Sequence, residues 1–240
     1  MEEHKLVIVE LINNFLKWLF TMLGIGFDKS KDIVPGHLVM AVIVTALLII
    51  FFKLTVKNLH LFPGKMQNAL EMLMKFFQGM VDDMMGREGR KFIPALATLG
   101  LFIAVSNLVG LLPEMESPTA KLDVTVGCAV FIFLYYHYQG IRKHGVWGYI
   151  KTFMGPEWWL AWLIFPIEVV SHFSRPLSLS MRLFGNIFGE DLVIIIIASL
   201  VPFVAPLPVM GLAVFTSLLQ AFIFVMLSTI YLSGAIAHEH

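Results

Sequence analysis

An all-α, polytopic membrane protein is the fold class predicted by this sequence, with about five membrane-embedded helices, amphipathic interfacial helices and a strongly tilted last pair. Three observations predict it. Of 240 residues, 58% are hydrophobic and 14% charged, where a soluble domain carries about 25% charged residues. Mean hydropathy is +0.81, which leaves too little polar surface to cover a sphere in water. Several apolar runs also reach the ~20 residues that a membrane-spanning helix needs.

The elements follow in chain order within a single membrane domain, 1–240. In 6–23, Glu10, Asn13, Asn14, Lys17 and Thr21 make one helical stripe, and such a helix lies in the interface more readily than it spans. Residues 34–56 form the first span, with Pro35 placed to begin it and Lys53 and Lys57 at its far end. PGK at 63–65 is a turn. Residues 66–85 carry a polar stripe (Gln67, Asn68, Glu71, Lys75, Gln78, Asp82) opposite Met, Leu and Phe, and are read as a surface helix. After the charged loop GREGRK, 92–112 is the second span, with Ser106 and Asn107 near its end. The turn LLPEMESPTAK leads to the third span, 122–138, which closes in an aromatic belt of Tyr135, Tyr136 and Tyr138. Residues 139–157 are polar and Gly-punctuated and are read as a loop. A long helix over 158–201, a proline-rich reversal at 202–208 and a last helix over 209–236 complete the chain.

Charge sets the expected orientation. Ten Lys and Arg residues (Lys53, Lys57, Lys65, Lys75, Arg87, Arg90, Lys91, Arg142, Lys143 and Lys151) fall on one side, against five (Lys5, Lys17, Lys29, Lys31, Lys121) on the other. The positive-inside rule places the first group in the cytoplasm, the N-terminus outside and the C-terminus inside. The start, MEEHK, has neither the basic region of a secretory signal nor the acid-free pattern of a transit peptide, which favours a bacterial plasma membrane, though a chain encoded within an organelle would look similar. Zero net charge gives no footprint for nucleic acid. The single cysteine, Cys128, reads as a packing residue in an apolar run, and neither an internal disulfide nor a metal site is expected.

The segment 158–201 holds the informative residues. A mid-membrane arginine costs about 2.5–3.5 kcal/mol on insertion scales, so Arg182 points to function by default. At ~100° per residue, Glu168, Ser171, Arg175, Ser178, Arg182 and Asn186 fall within about 40° of one line. Glu190 and His172 sit at its edge, near ~80°, and Asp191 lies opposite, near ~180°. Packed against other helices, Ser and Asn would serve as interhelical hydrogen-bonding groups, and His172 would be a satisfied interior histidine. Arg cannot shed its proton in a protein, so Arg182 can hold an anion or repel a cation but cannot relay protons. Buried carboxylates can bind and release them. Glu190 and Asp191 are therefore placed to feed protons to one side of Arg182, and Glu168 to drain them on the other. Gln220, in the last helix, serves either as an interhelical hydrogen bond or to orient the guanidinium. The carrier that moves protons past Arg182 is not visible in this chain, which implies a partner with a carboxylate.

SRPLSLSMRLFGNIFGEDLV (174–193) and LLQAFIFVMLSTIYLSGA (218–235), together with PGKMQNALE (63–71) and SNLVGLLPEMESPTA (106–120), closely resemble the a subunits of F-type ATP synthases. The resemblance covers nearly the whole chain. It implies a non-catalytic stator subunit whose two long tilted helices face a ring of c subunits, beside b-type peripheral-stalk and other synthase subunits. It places the family's essential arginine at Arg182, its last-helix glutamine at Gln220 and the acid of the outer path at Asp191, with Glu190 an additional acid. Asn186 and Ser178 match polar positions of the same helix, and Glu168 matches the acid of the cytoplasmic path. Proton flow past this face would turn the ring and drive ATP synthesis elsewhere in the complex. Some relatives carry a histidine seven residues before the glutamine. Here the residue is Ala213, so the outer path is expected to rely on Asp191, Glu190 and water. No cofactor is expected.

Rival readings fit less well. A haem cytochrome needs paired axial histidines within the bundle, whereas only His137 and His172 lie near span interiors. A metalloprotease would want H-E-x-x-H on a helix, and HEH at 238–240 has the wrong spacing. A standalone channel or secondary transporter is the alternative, but no inverted repeat is found.

Overall fold

A computed structural model describes residues 7–22, 34–57, 64–112, 115–154, 159–201 and 204–236. Parts of the expected turns at 63–65, 111–121 and 202–208 lie outside these, as do the MEEHK start and the AHEH tail. Among the described residues seven α-helices follow in order: α1 (Val7–Met22), α2 (Gly36–Val56), α3 (Lys65–Met85), α4 (Ile93–Gly110), α5 (Leu122–Met154), α6 (Ala161–Leu200) and α7 (Pro206–Ile236). Among the described residues five segments are long and apolar enough to cross a membrane, one each containing α2, α4, α5, α6 and α7. The amphipathic α3 is not one of them. It turns Phe77 and Val81 inward and leaves Met66, Met72 and Met74 exposed.

The core sits where α4, α5, α6 and α7 meet. Leu96 and Ile103 of α4, Ile132 of α5, Leu183 of α6, and Phe224 and Leu232 of α7 are fully or almost fully buried. Cys128 packs into the same core as a free thiol. Gly100 permits close approach of α4 to α7, because a Cβ there would lie 2.6 Å from Cγ2 of Val225. At the other end of α4, Asn107 donates from Nδ2 to the Ser217 carbonyl of α7 at 3.2 Å and accepts from the Thr119 hydroxyl. Ser117 bonds the Ser106 carbonyl at 3.2 Å. These buried hydrogen bonds fasten the α4–α5 connection across the bundle. Asn13 does the same for α1, exchanging two 3.0 Å bonds with the backbone of Val34.

Two segments differ from the sequence reading. GREGRK is a short 3₁₀ turn, Arg87–Phe92, rather than an open loop. Within it Arg90 clamps Asp82 of α3 bidentately, and that hydrogen-bonded guanidinium holds the Asp82 carboxyl below its ordinary range. The second correction is larger: residues 139–154, expected as a loop after a span ending at 138, are helical. Gly140 does not break the helix; its bare Cα admits the Tyr149 ring and lies close to the Ala235 carbonyl. The break comes at Gly145 (φ 73°, ψ 166°), a conformation that glycine reaches without steric cost. A straight helix would hold residues 137 and 149 about 18 Å apart. Instead Oη of Tyr149 lies 2.7 Å from Nδ1 of His137, so the segment after Gly145 folds back on α5.

Candidate ion-path residues on α6 and α7

The functional candidates lie along the antiparallel seam between α6 and α7. Thr216 donates to Oε2 of Glu190 at 2.9 Å, and Nδ2 of Asn186 donates to Oε1 of Gln220 at 2.6 Å. Further along, the Arg175 guanidinium stacks 5.3 Å from the Tyr231 ring centroid. Each step of four along α6 is thus matched by a step of four along α7. One turn beyond the 186/220 pair, this register sets Arg182 level with the buried Phe224.

Helix phase explains which side chains meet. Relative to Arg182, the buried α6 residues His172, Leu179, Leu183 and Ile187 centre near about +100°, and the exposed apolar Val170, Met181, Phe188 and Leu192 near about −100°. The polar stripe therefore runs along one boundary between the covered and the open face. Arg182, Ser178 and Asn186 are exposed on it. Among the described residues Arg182 has neither a hydrogen bond nor an ion pair. Gln220, one of whose expected roles was to orient that guanidinium, bonds Asn186 instead.

Two polar clusters flank Arg182. In the first, Glu190 is drawn against α7 while the neighbouring Asp191 is half-buried. Oε1 of Glu190 and Nε2 of Gln220 are both buried without a hydrogen-bond partner among the described residues. Ala213 is buried on α7. In the second cluster, Oε1 of Glu168 lies 3.2 Å from Nε2 of His172 and 3.6 Å from the Arg175 guanidinium. Nδ1 of His172 is 3.2 Å from the Tyr136 hydroxyl, and the His137 and His172 rings are 5.2 Å apart. His172 is thus a satisfied interior histidine that also joins the Glu168 cluster. Ser171 is half-buried beside it. The helical rise puts Glu190 about 12 Å and Glu168 about 21 Å from Arg182, in opposite directions.

The structure adds Thr216, Tyr136, His137 and Tyr149 to the candidates. Thr216 was within reach of the sequence, since it stands four residues before Gln220 on the same helical face. The Tyr149–His137 contact was not, because it depends on the fold-back at Gly145.

A model of the family described as ATP synthase A chain matches residues 38–233. The chain is 44% identical over 228 residues to ATP synthase subunit a 2 of Syntrophotalea carbinolica, covering 94% of this chain and 97% of that protein. It is 45% identical to ATP synthase subunit a of Geotalea daltonii, covering 96% and 98%. Against ATP synthase subunit a of Geobacter sulfurreducens it is 48% identical over 198 residues, covering 82% and 86%. With five helices fit to cross a membrane and matches of this extent, the chain is a multi-pass membrane protein that belongs to the ATP synthase A chain family.

Proposed function

We propose that the chain is the proton-translocating stator subunit of an F-type ATP synthase, with Arg182 as a fixed cation between two aqueous half-channels. The observation that carries this reading is the setting of Arg182: exposed and unpaired among the described residues, near the middle of a 40-residue apolar helix. A guanidinium in lipid is costly, so its exposed face calls for an anionic partner from outside the chain. The carboxylates of a rotating c ring fit that need. α6 is also the least buried of the five apolar helices, as a helix lying against another subunit would be. A straight helix of its length is about 60 Å long, twice the hydrocarbon thickness, which favours a steep tilt.

Protons enter from the outside through Asp191 and Glu190. The unsatisfied Glu190 and Gln220 atoms favour water on this path, since buried polar groups seek hydrogen-bond partners. Protons leave to the cytoplasm past Ser178 and Ser171 through the Glu168–His172 cluster. Arg182 repels a proton from crossing directly, so each must ride on a ring carboxylate. The basic excess favours the Glu168 side as the cytoplasmic side of a bacterial plasma membrane. The chain then works with the c ring, a b-type peripheral stalk and the other synthase subunits, and supplies no covalent chemistry itself.

The test is ATP-driven acidification of inverted vesicles carrying the whole complex. Glu168→Gln removes a titratable group and the charge facing Arg175, and proton pumping is expected to fall severalfold with subunit composition unchanged. Pumping at the wild-type rate would contradict a cytoplasmic path through Glu168.

A further inference from the structure

A basic pocket lies apart from the α6–α7 seam, where α4 begins and α5 and α7 come together. It encloses about 350 Å³ and is lined by Lys91, Phe92, Gln139, Arg142, Lys143 and Ile236. Phe92 and Ile236 are buried and apolar, whereas Lys91 and Arg142 are exposed and the Lys143 side chain is 26% exposed. Among the described residues these three cations are poorly neutralised: Lys143 reaches only Glu88, at 3.9 Å, and that carboxylate side chain is 80% exposed. Lys91 rests on the Phe92 ring with Nζ 4.9 Å from its centroid. Arg142 has no hydrogen bond or ion pair among the described residues.

A second observation identifies what would neutralise them. Phe131, Leu134, Tyr138 and Ile141 are exposed on α5. Their spacing of three, four and three residues makes one helical face, and Arg142 lies on it at the end of the run. The exposed Trp147 stands nearby in sequence. An apolar helical strip that ends in Tyr, Trp and basic residues is the pattern of a membrane–water boundary.

We propose that this pocket binds the headgroup of an anionic phospholipid. The phosphate is held by Arg142, Lys143 and Lys91, and the acyl chains run along the Phe131–Ile141 strip. Basic pockets between transmembrane helices take anionic lipid headgroups on these grounds. A soluble anion would use the cations but leave the apolar strip without a role. The inference does not use the ion path and stands whether or not Arg182 separates two half-channels.

The test uses the whole complex reconstituted with phosphatidylglycerol or phosphatidylcholine analogues carrying a photoreactive group near the headgroup. Phosphatidylglycerol is expected to label the peptides around 86–93 and 138–147 on the order of tenfold more than phosphatidylcholine. The double variant Arg142→Gln, Lys143→Gln should bring that labelling down to the phosphatidylcholine level, with subunit composition and ATP-driven pumping unchanged. Equal labelling by the two lipids in the wild-type complex would overturn the proposal without recourse to any variant. So would phosphatidylglycerol labelling that survives the double substitution. Displacement of the label by millimolar inorganic phosphate would also overturn it, by marking a site for free anions.

Discussion

Arg182→Ala is expected to abolish ATP-driven acidification while the c ring still co-purifies with the complex. The substitution removes a charge that has no hydrogen-bond or ion-pair partner among the described residues, so it leaves no stranded carboxylate within the chain. The core around it is formed by Leu179, Leu183 and Phe224, which the change does not touch. Folding should therefore survive, and insertion becomes cheaper by the cost of an intramembrane arginine. Coupling should not survive. A preorganised charge aimed at a passing carboxylate acts in a low-dielectric setting, where its loss costs a factor of about 100 or more. Lost pumping together with a lost ring would instead indicate a structural role for Arg182. Arg182→Lys separates charge from shape: lysine keeps the charge but not the planar fork, and pumping is expected to remain far below wild type.

The second large effect is expected at the outer pair. Asp191→Asn alone should slow pumping less severely than Arg182→Ala, because Glu190 stands beside it and is held toward α7 by Thr216. Combining Asp191→Asn with Glu190→Gln leaves that cluster without a titratable carboxyl, and pumping should fall to the level of Arg182→Ala. The comparison is made by acidification rate at equal amounts of assembled complex. If the double variant pumps like Asp191→Asn, Glu190 has no part in the path. With the non-titratable Ala213 buried on α7, these two acids are the side chains on which the proposed entry depends.

Much of this was legible in the sequence because a membrane makes few demands and makes them strictly. Spans must be long and apolar, and the five segments expected to cross are the five that the structure offers. The amphipathic stripe of 66–85 marked α3 to within a residue. Arg182 stood out because lipid makes a lone arginine expensive. The misreading of 139–154 arose from treating each glycine as a break, and the rest of that expected loop, 155–157, lies outside the described residues. Among the described glycines of this segment only Gly145 takes a left-handed φ, whereas Gly140 supplies clearance for Tyr149, and nothing local in the sequence separates those two uses. Helix phase put Glu168 on one stripe with Arg175, which it meets, but it could not reveal the register of α7. That register decides that Gln220 meets Asn186 and that Phe224 stands level with the arginine.

The most direct test of two separate half-channels is thiol access from each side of the membrane. Gly189 and Gly185 have open space where a Cβ would go, so Gly189→Cys and Gly185→Cys fit without displacing a neighbour. Ser171→Cys reports on the other cluster, and Cys128→Ala removes the native thiol from the background. A membrane-impermeant thiol reagent is applied to right-side-out and to inverted vesicles. The account predicts that Gly189→Cys and Gly185→Cys react only from the outside and Ser171→Cys only from the cytoplasm, with Arg182 marking the changeover. Reaction of any one of these thiols from both sides would show a continuous path past Arg182 and contradict the account.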